Sequence, residues 1–160
     1  MLIGIDPSPT VQSCVVWDRQ LRWVLEVRSF RFPEDQDQFL EWVGLMPVAV
    51  EWIESYGMPV GKEVFQTVFQ IGQIAGWLRR KGFVRLIPRK DVKLSLCGFS
   101  RAKDPNVRQS LLDAIGPVGT KKAPGPLYGV SSHYWAALGV AYVASEICPT
   151  DSEATFHRNS

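Results

Sequence analysis

Three short apolar runs precede the first helical pattern in this chain, and the way they are connected limits the sheet it can build. Residues 2–6 (LIGID), 11–17 (VQSCVVW) and 21–30 (LRWVLEVRSF) are rich in Val, Ile, Trp and Phe, the residues that suit a pleated, half-buried surface. Only Asp-Arg-Gln separates the second run from the third, so these two form a hairpin and pair antiparallel. The next two runs, 47–54 (PVAVEWIE) and 83–87 (FVRLI), are each reached through a helical stretch. A strand reached through a helix pairs parallel and leaves that helix on a face of the sheet. The expected fold is α/β: a mixed five-stranded sheet, an antiparallel hairpin plus parallel strands, with helices on both faces.

The helical stretches carry their own signals. Residues 33–45 begin with Pro and acids, then space Phe39, Leu40 and Val43 as a short helix does. Over 62–82, Val64, Val68, Ile71, Ala75 and Leu78 recur at helical spacing and predict a buried face. Gly72 and Gly76 lie within that helix at about 1 kcal/mol each against Ala, which predicts that something approaches them closely. Further helices are expected over 88–98 and 104–116, the latter with Asp104 as N-cap and Pro105 in first position. A last helix over 131–147 has a face of Ala136, Ala137, Val140, Ala141 and Ala144.

With 160 residues and a 46% hydrophobic fraction, one domain with a sizeable core is expected over residues 1–148, followed by a polar, frayed tail at 149–160. No apolar run approaches the roughly 20 residues of a membrane span, and no basic-then-apolar leader suggests secretion. Cys14, Cys97 and Cys148 are odd in number and widely spaced, as expected for reduced thiols of a cytoplasmic protein.

Charge is segregated along the chain. Residues 79–103 hold nine Lys/Arg against Asp91 alone, while residues 34–63 hold seven acids against Lys62 alone. The two segments either pair across the surface, or form a basic face for a phosphate backbone beside an acidic pocket.

Two acids stand out. Asp6 closes the first apolar run, followed by Pro7, Ser8, Pro9 and Thr10; it is either a turn residue or a carboxylate held at a strand end to grip a metal or phosphate. Glu51 interrupts VAVEWI, and a carboxylate in a buried strand needs a cation, either a basic side chain or a metal. If the first and fourth strands are neighbours, both acids can reach the same face. His133, at the start of the final helix, is a third candidate ligand or a surface cap.

These residues carry a family resemblance. GIDPS (4–8), the Glu of VAVEWIE, IGQIAG (71–76), the run Val92-Lys93, Gly98, Ala102-Lys103, Val107, and SSHYWAALGVA (131–141) occur in the order seen in the RuvC Holliday junction resolvases. The match runs from about residue 2 to about residue 145. SYGMPVGKEVFQT and KKAPGPLYGVSSH are most similar to phage-encoded members, which would place the protein in the cytoplasm of a bacterial host cell. GIDPS alone also opens sugar-kinase and actin-like ATPase domains, but 160 residues cannot hold their two lobes.

The resemblance implies an RNase H-like fold and a homodimer whose two sites cut opposed strands of a four-way DNA junction. It implies two Mg2+ or Mn2+ ions per site, with Asp6, Glu51 and His133 as catalytic metal ligands. The family's final acid has no counterpart, since Ala136 stands one helical turn after His133; Asp113 and Glu54 are candidate substitutes. Arg89, Lys90, Lys93, Arg101, Lys103, Lys121 and Lys122 are the expected phosphate contacts. Tyr56, Phe65 and Phe69 are either base-stacking residues or core. Two functions follow: a metal-dependent junction endonuclease, or a branched-DNA-binding protein that cuts weakly or not at all.

Overall fold

The computed structural model describes residues 1–55, 57, 59–80 and 84–147. In chain order the elements are β1 (Leu2–Asp6), β2 (Val11–Asp18), β3 (Trp23–Arg31), α1 (Gln36–Val43), β4 (Val48–Trp52), α2 (Lys62–Leu78), β5 (Val84–Pro88), α3 (Arg89–Cys97), α4 (Asp104–Ile115) and α5 (Tyr134–Ile147). The five strands form one sheet in the order β3-β2-β1-β4-β5. β1, β2 and β3 pair antiparallel, while β1–β4 and β4–β5 pair parallel. This is the mixed α/β sheet, an antiparallel hairpin plus parallel strands, that the connections dictate.

Alternation along the strands divides the chain into two layers of core. Ile3 and Ile5 of β1 and Val48 and Val50 of β4 face α1 and α2, joining Phe30, Phe39, Ile71, Ile74 and Leu78. The residues between them turn to the opposite face, where Ala49 packs with Val140, Val143 and Ala144 of α5. There α5 lies directly on the sheet: a Cβ on Gly4 would stand 2.0 Å from the Ala137 carbonyl oxygen. α3 and α4 cover the outer side of α5, which is why that helix is apolar almost all round.

The parallel register pairs Ile3 with Val48, Gly4 with Ala49 and Ile5 with Val50. One step further along, Asp6 and Glu51 are adjacent and both belong to the α5 side. Strand pairing and side-chain alternation alone therefore bring two acids from distant parts of the sequence together.

Several local expectations are corrected. The buried face of α2 comprises Thr67, Gln70, Ile71, Ile74 and Leu78, so Val64, Val68 and Ala75 lie beside it rather than on it. Among the described residues, nothing lies within 4 Å of where a Cβ on Gly72 or Gly76 would stand, and both glycines are exposed. Asp104 is the first residue of α4 rather than its N-cap. That cap is Lys103, whose N–H donates to Asn106 Oδ1 at 3.0 Å, leaving the Asp104 carboxylate for other partners. Cys14 is buried, and burial pushes its thiol well above the ordinary range. Cys148, Tyr56 and the expected tail at 149–160 lie outside the described residues. Among those described, no helix is long and apolar enough to cross a membrane.

Candidate active site

The turn after Asp6 is held by a side chain buried in the neighbouring strand. Gln12 of β2 accepts from the Ser8 N–H at 3.1 Å through Oε1 and donates to the Ser8 carbonyl at 3.0 Å through Nε2. The Ser8 hydroxyl donates in turn to the Val11 carbonyl at 2.7 Å. Gln70 of α2 donates to the Pro9 carbonyl at 3.3 Å, tying the same turn to the helix layer. Gln12 is wholly buried, so its amide would be costly there without both partners. The result is a fixed exit from β1 with Asp6 at its edge.

β4, α3, α4 and the segment leading into α5 deliver side chains to that edge. β5 ends at Pro88 and α3 begins at once, placing Arg89 opposite β4. Arg89 Nη1 lies 2.6 Å from Glu51 Oε1, and Nη2 lies 2.7 Å from Asp104 Oδ1. Lys93, one turn further along α3, reaches Asp104 Oδ1 at 3.7 Å. His133 precedes α5, and its Nδ1 lies 3.4 Å from Asp6 Oδ2. Asp6, Ser8, Glu51, Arg89, Lys93, Asp104, Ser132, His133 and Ala136 all line one pocket of about 320 Å³.

The electrostatics are those of an acid held in an unfavourable place. Burial, and then the neighbouring Glu51 carboxylate, raise the pKa of Asp6 from 3.8 to about 7, against the opposing pull of Arg89 and His133. Glu51 is only 6% exposed, yet Arg89 neutralises it. Burial disfavours the charged form of Arg89, but Glu51 and Asp104 together outweigh it and push the guanidinium above its ordinary value.

Asp6, Glu51 and His133 are thus brought together, and Glu51 both pairs with Arg89 of the basic segment and lines the pocket. Arg89 and Lys93 line the pocket as well. Lys90 lies 3.9 Å from Glu54, while Arg101, Lys103, Lys121 and Lys122 are exposed outside its lining. Neither proposed substitute for the missing acid reaches the pocket: Asp113 is exposed and accepts from Gln109, and Glu54 is beside Lys90. The further acid at the site is Asp104, which the sequence presents only as a helix start. Its signal was the Arg89-to-Asp104 spacing across α3, which has meaning only once α3 and α4 pack together.

Asp6, Glu51 and His133 are donors of the kind that Mg2+ or Mn2+ accepts. Among the described residues, however, no three His, Cys, Asp or Glu side chains converge closely enough to enclose an ion as they stand. The donor set suffices in kind for one ion that draws Asp6 and Glu51 together. For a second ion it is short, because Ala136 supplies no ligand and the Asp104 carboxylate is paired with Arg89 and Lys93.

No protein-family model matches the sequence, and no curated protein matches it. Solved structures do match. The chain superposes on the Thermus thermophilus RuvC structure with a TM-score of 0.62 at 21% identity, covering 91% of this chain and 95% of that one. It superposes on T. thermophilus RuvC in complex with Holliday junction substrate with a TM-score of 0.63 at 21% identity, covering 91% and 93%. Over nine-tenths of its length, this chain shares the fold of those RuvC structures.

Proposed function

We propose that this protein is a metal-dependent, structure-selective endonuclease that cleaves four-way (Holliday) or branched DNA junctions by phosphodiester hydrolysis. The observation that carries the reading is the convergence of Asp6, Glu51 and His133 on one pocket of a RuvC-like fold. Support for the substrate comes from the Thermus protein, solved in complex with Holliday junction substrate.

In this reading Asp6, Glu51 and His133 hold Mg2+ or Mn2+. An ion bound there would acidify a water and offset charge on the phosphate and the leaving oxygen. The water gives up a proton to solvent as its oxygen bonds to phosphorus, the bond to the 3′ oxygen breaks with its electron pair, and that oxygen takes up a proton from solvent. Gln12 keeps Asp6 at the exit of β1, and Arg89 pairs with the buried Glu51 and orients it. Lys93, Lys90, Arg101, Lys103, Lys121 and Lys122 contact backbone phosphates and set the salt dependence of binding. Phe65 and Phe69, 65% and 64% exposed and so outside the core of this chain, stack on opened bases in this reading. The working unit is a homodimer, so that two pockets cut opposed strands.

Ala136 favours a second reading, in which the protein binds branched DNA but cuts it weakly or not at all. Incubation with a labelled synthetic four-way junction and Mg2+ or Mn2+, beside linear duplex, separates the two. Junction-specific nicks support the nuclease; retention without cutting supports the binder.

A further inference from the structure

We propose that Arg89 is a catalytic cation of this site, bringing to the scissile phosphate the positive charge that a second divalent ion would otherwise supply. The inference rests on the nuclease reading above and deepens it to a one-ion mechanism.

Arg89 is gripped by two carboxylates from different elements, Glu51 on β4 and Asp104 on α4. Pairing with Glu51 alone would satisfy that buried carboxylate. Asp104 is 72% exposed, and an exposed pair contributes little stability, roughly 0–1 kcal/mol. What the second contact adds is orientation, since a planar guanidinium held at both Nη atoms cannot turn freely. A guanidinium has about five N–H donors; the contacts to Glu51 and Asp104 leave donors available on a side chain that is 40% exposed and lines the pocket.

Charge balance points the same way. The lining contains three carboxylates (Asp6, Glu51 and Asp104), two fixed cations (Arg89 and Lys93), and His133. With His133 neutral, the pocket carries one net negative charge. One divalent ion and one phosphodiester bring the total to zero. A second ion would leave two positive charges unbalanced, in a pocket where Ala136 offers it no ligand.

During hydrolysis, the oxygen–phosphorus bond to water forms as the bond to the 3′ oxygen breaks, and the non-bridging oxygens gain charge. Arg89 donates N–H bonds to one of them and is unchanged at the end. Arginine clamps on transferring phosphoryl groups act in this way, and losing one such donor costs on the order of 100- to 1,000-fold in rate.

The test pairs metal counting with kinetics. Mn2+ is titrated into the DNA-free protein and followed by electron paramagnetic resonance; single-turnover cleavage is then measured at saturating four-way junction. We expect one Mn2+ per chain in the wild type. Arg89→Ala should lose about 100-fold or more in rate, with junction affinity changed less than about threefold, and Arg89→Lys should recover part of the loss. Two Mn2+ per chain in the wild type, or an Arg89→Ala rate near that of the wild type, would overturn the proposal. The wild-type metal count holds even if Arg89→Ala fails to fold. A wild type that never cuts junctions counts against the nuclease reading, whereas a wild type that cuts with two ions counts against Arg89 alone.

Discussion

His133 Nδ1 lies 3.4 Å from Asp6 Oδ2, across the gap between the start of α5 and the end of β1. The approach depends on how tightly α5 sits on the sheet, and Gly4 permits it. Gly4→Ala should therefore lower stability by about 3 kcal/mol, at the upper end of overpacking costs, because the new Cβ would meet backbone rather than a movable side chain. Thermal melting checks this: a melting temperature unchanged from the wild type would mean that α5 packs less closely than described.

The raised pKa of Asp6 has a stability consequence with a definite sign. In the folded chain the group titrates near 7, against 3.8 for its ordinary value. A raised folded-state pKa contributes stability that is fully present below the unfolded value and is lost as pH rises through the folded one. Without metal, Asp6→Asn should therefore melt above the wild type, by a margin that widens from about pH 4 to about pH 7 and is then constant. Saturating Mn2+ should narrow that margin by stabilising the wild type selectively. A margin independent of pH would mean that Asp6 is not strained by burial and Glu51.

In the proposed nuclease, His133 and Ala136 would govern how firmly an ion is held. His133→Ala should lose most of the cleavage activity, and Mn2+, the less strict in geometry, should support faster cutting than Mg2+. Position 136 lines the pocket, so Ala136→Asp should reduce the Mn2+-to-Mg2+ rate ratio. Rates in both metals settle the point; normal cutting by His133→Ala would make His133 a surface residue beside Asp6.

In the proposed reading Lys93 and Lys103 hold phosphates; Lys93 lines the pocket, and Lys103 lies outside its lining, next to Asp104 in the chain. Alanine at either position should weaken junction binding and reduce the slope of log affinity against log salt by about one. Slopes equal to the wild type would place these lysines away from DNA.

Much of the fold is legible in the residues because connection length decides strand direction: Asp-Arg-Gln forces the hairpin, and the helical stretches force the parallel pairs. Asp6 and Glu51 are legible too, since each breaks an apolar run and the register then makes them neighbours. What periodicity misses is side-chain competition. Asp104 reads as a helix cap until Arg89 arrives from another helix. Gln12 reads as one polar residue in a strand until its amide closes on Ser8. Gly72 and Gly76 imply a close neighbour by their cost in a helix, yet α2 turns them outward.

The most direct measurement of the central claim is cleavage of a labelled four-way junction by the wild type, Asp6→Asn and Glu51→Gln, with junction binding measured in parallel. Each substitution removes a pocket charge while nearly preserving shape. We predict junction-specific cutting by the wild type in Mn2+ or Mg2+. Each variant should lose more than about 100-fold in rate, beyond the loss expected for an outer-shell change, while binding the junction within about threefold of the wild type. Cutting by either variant at the wild-type rate would contradict the account.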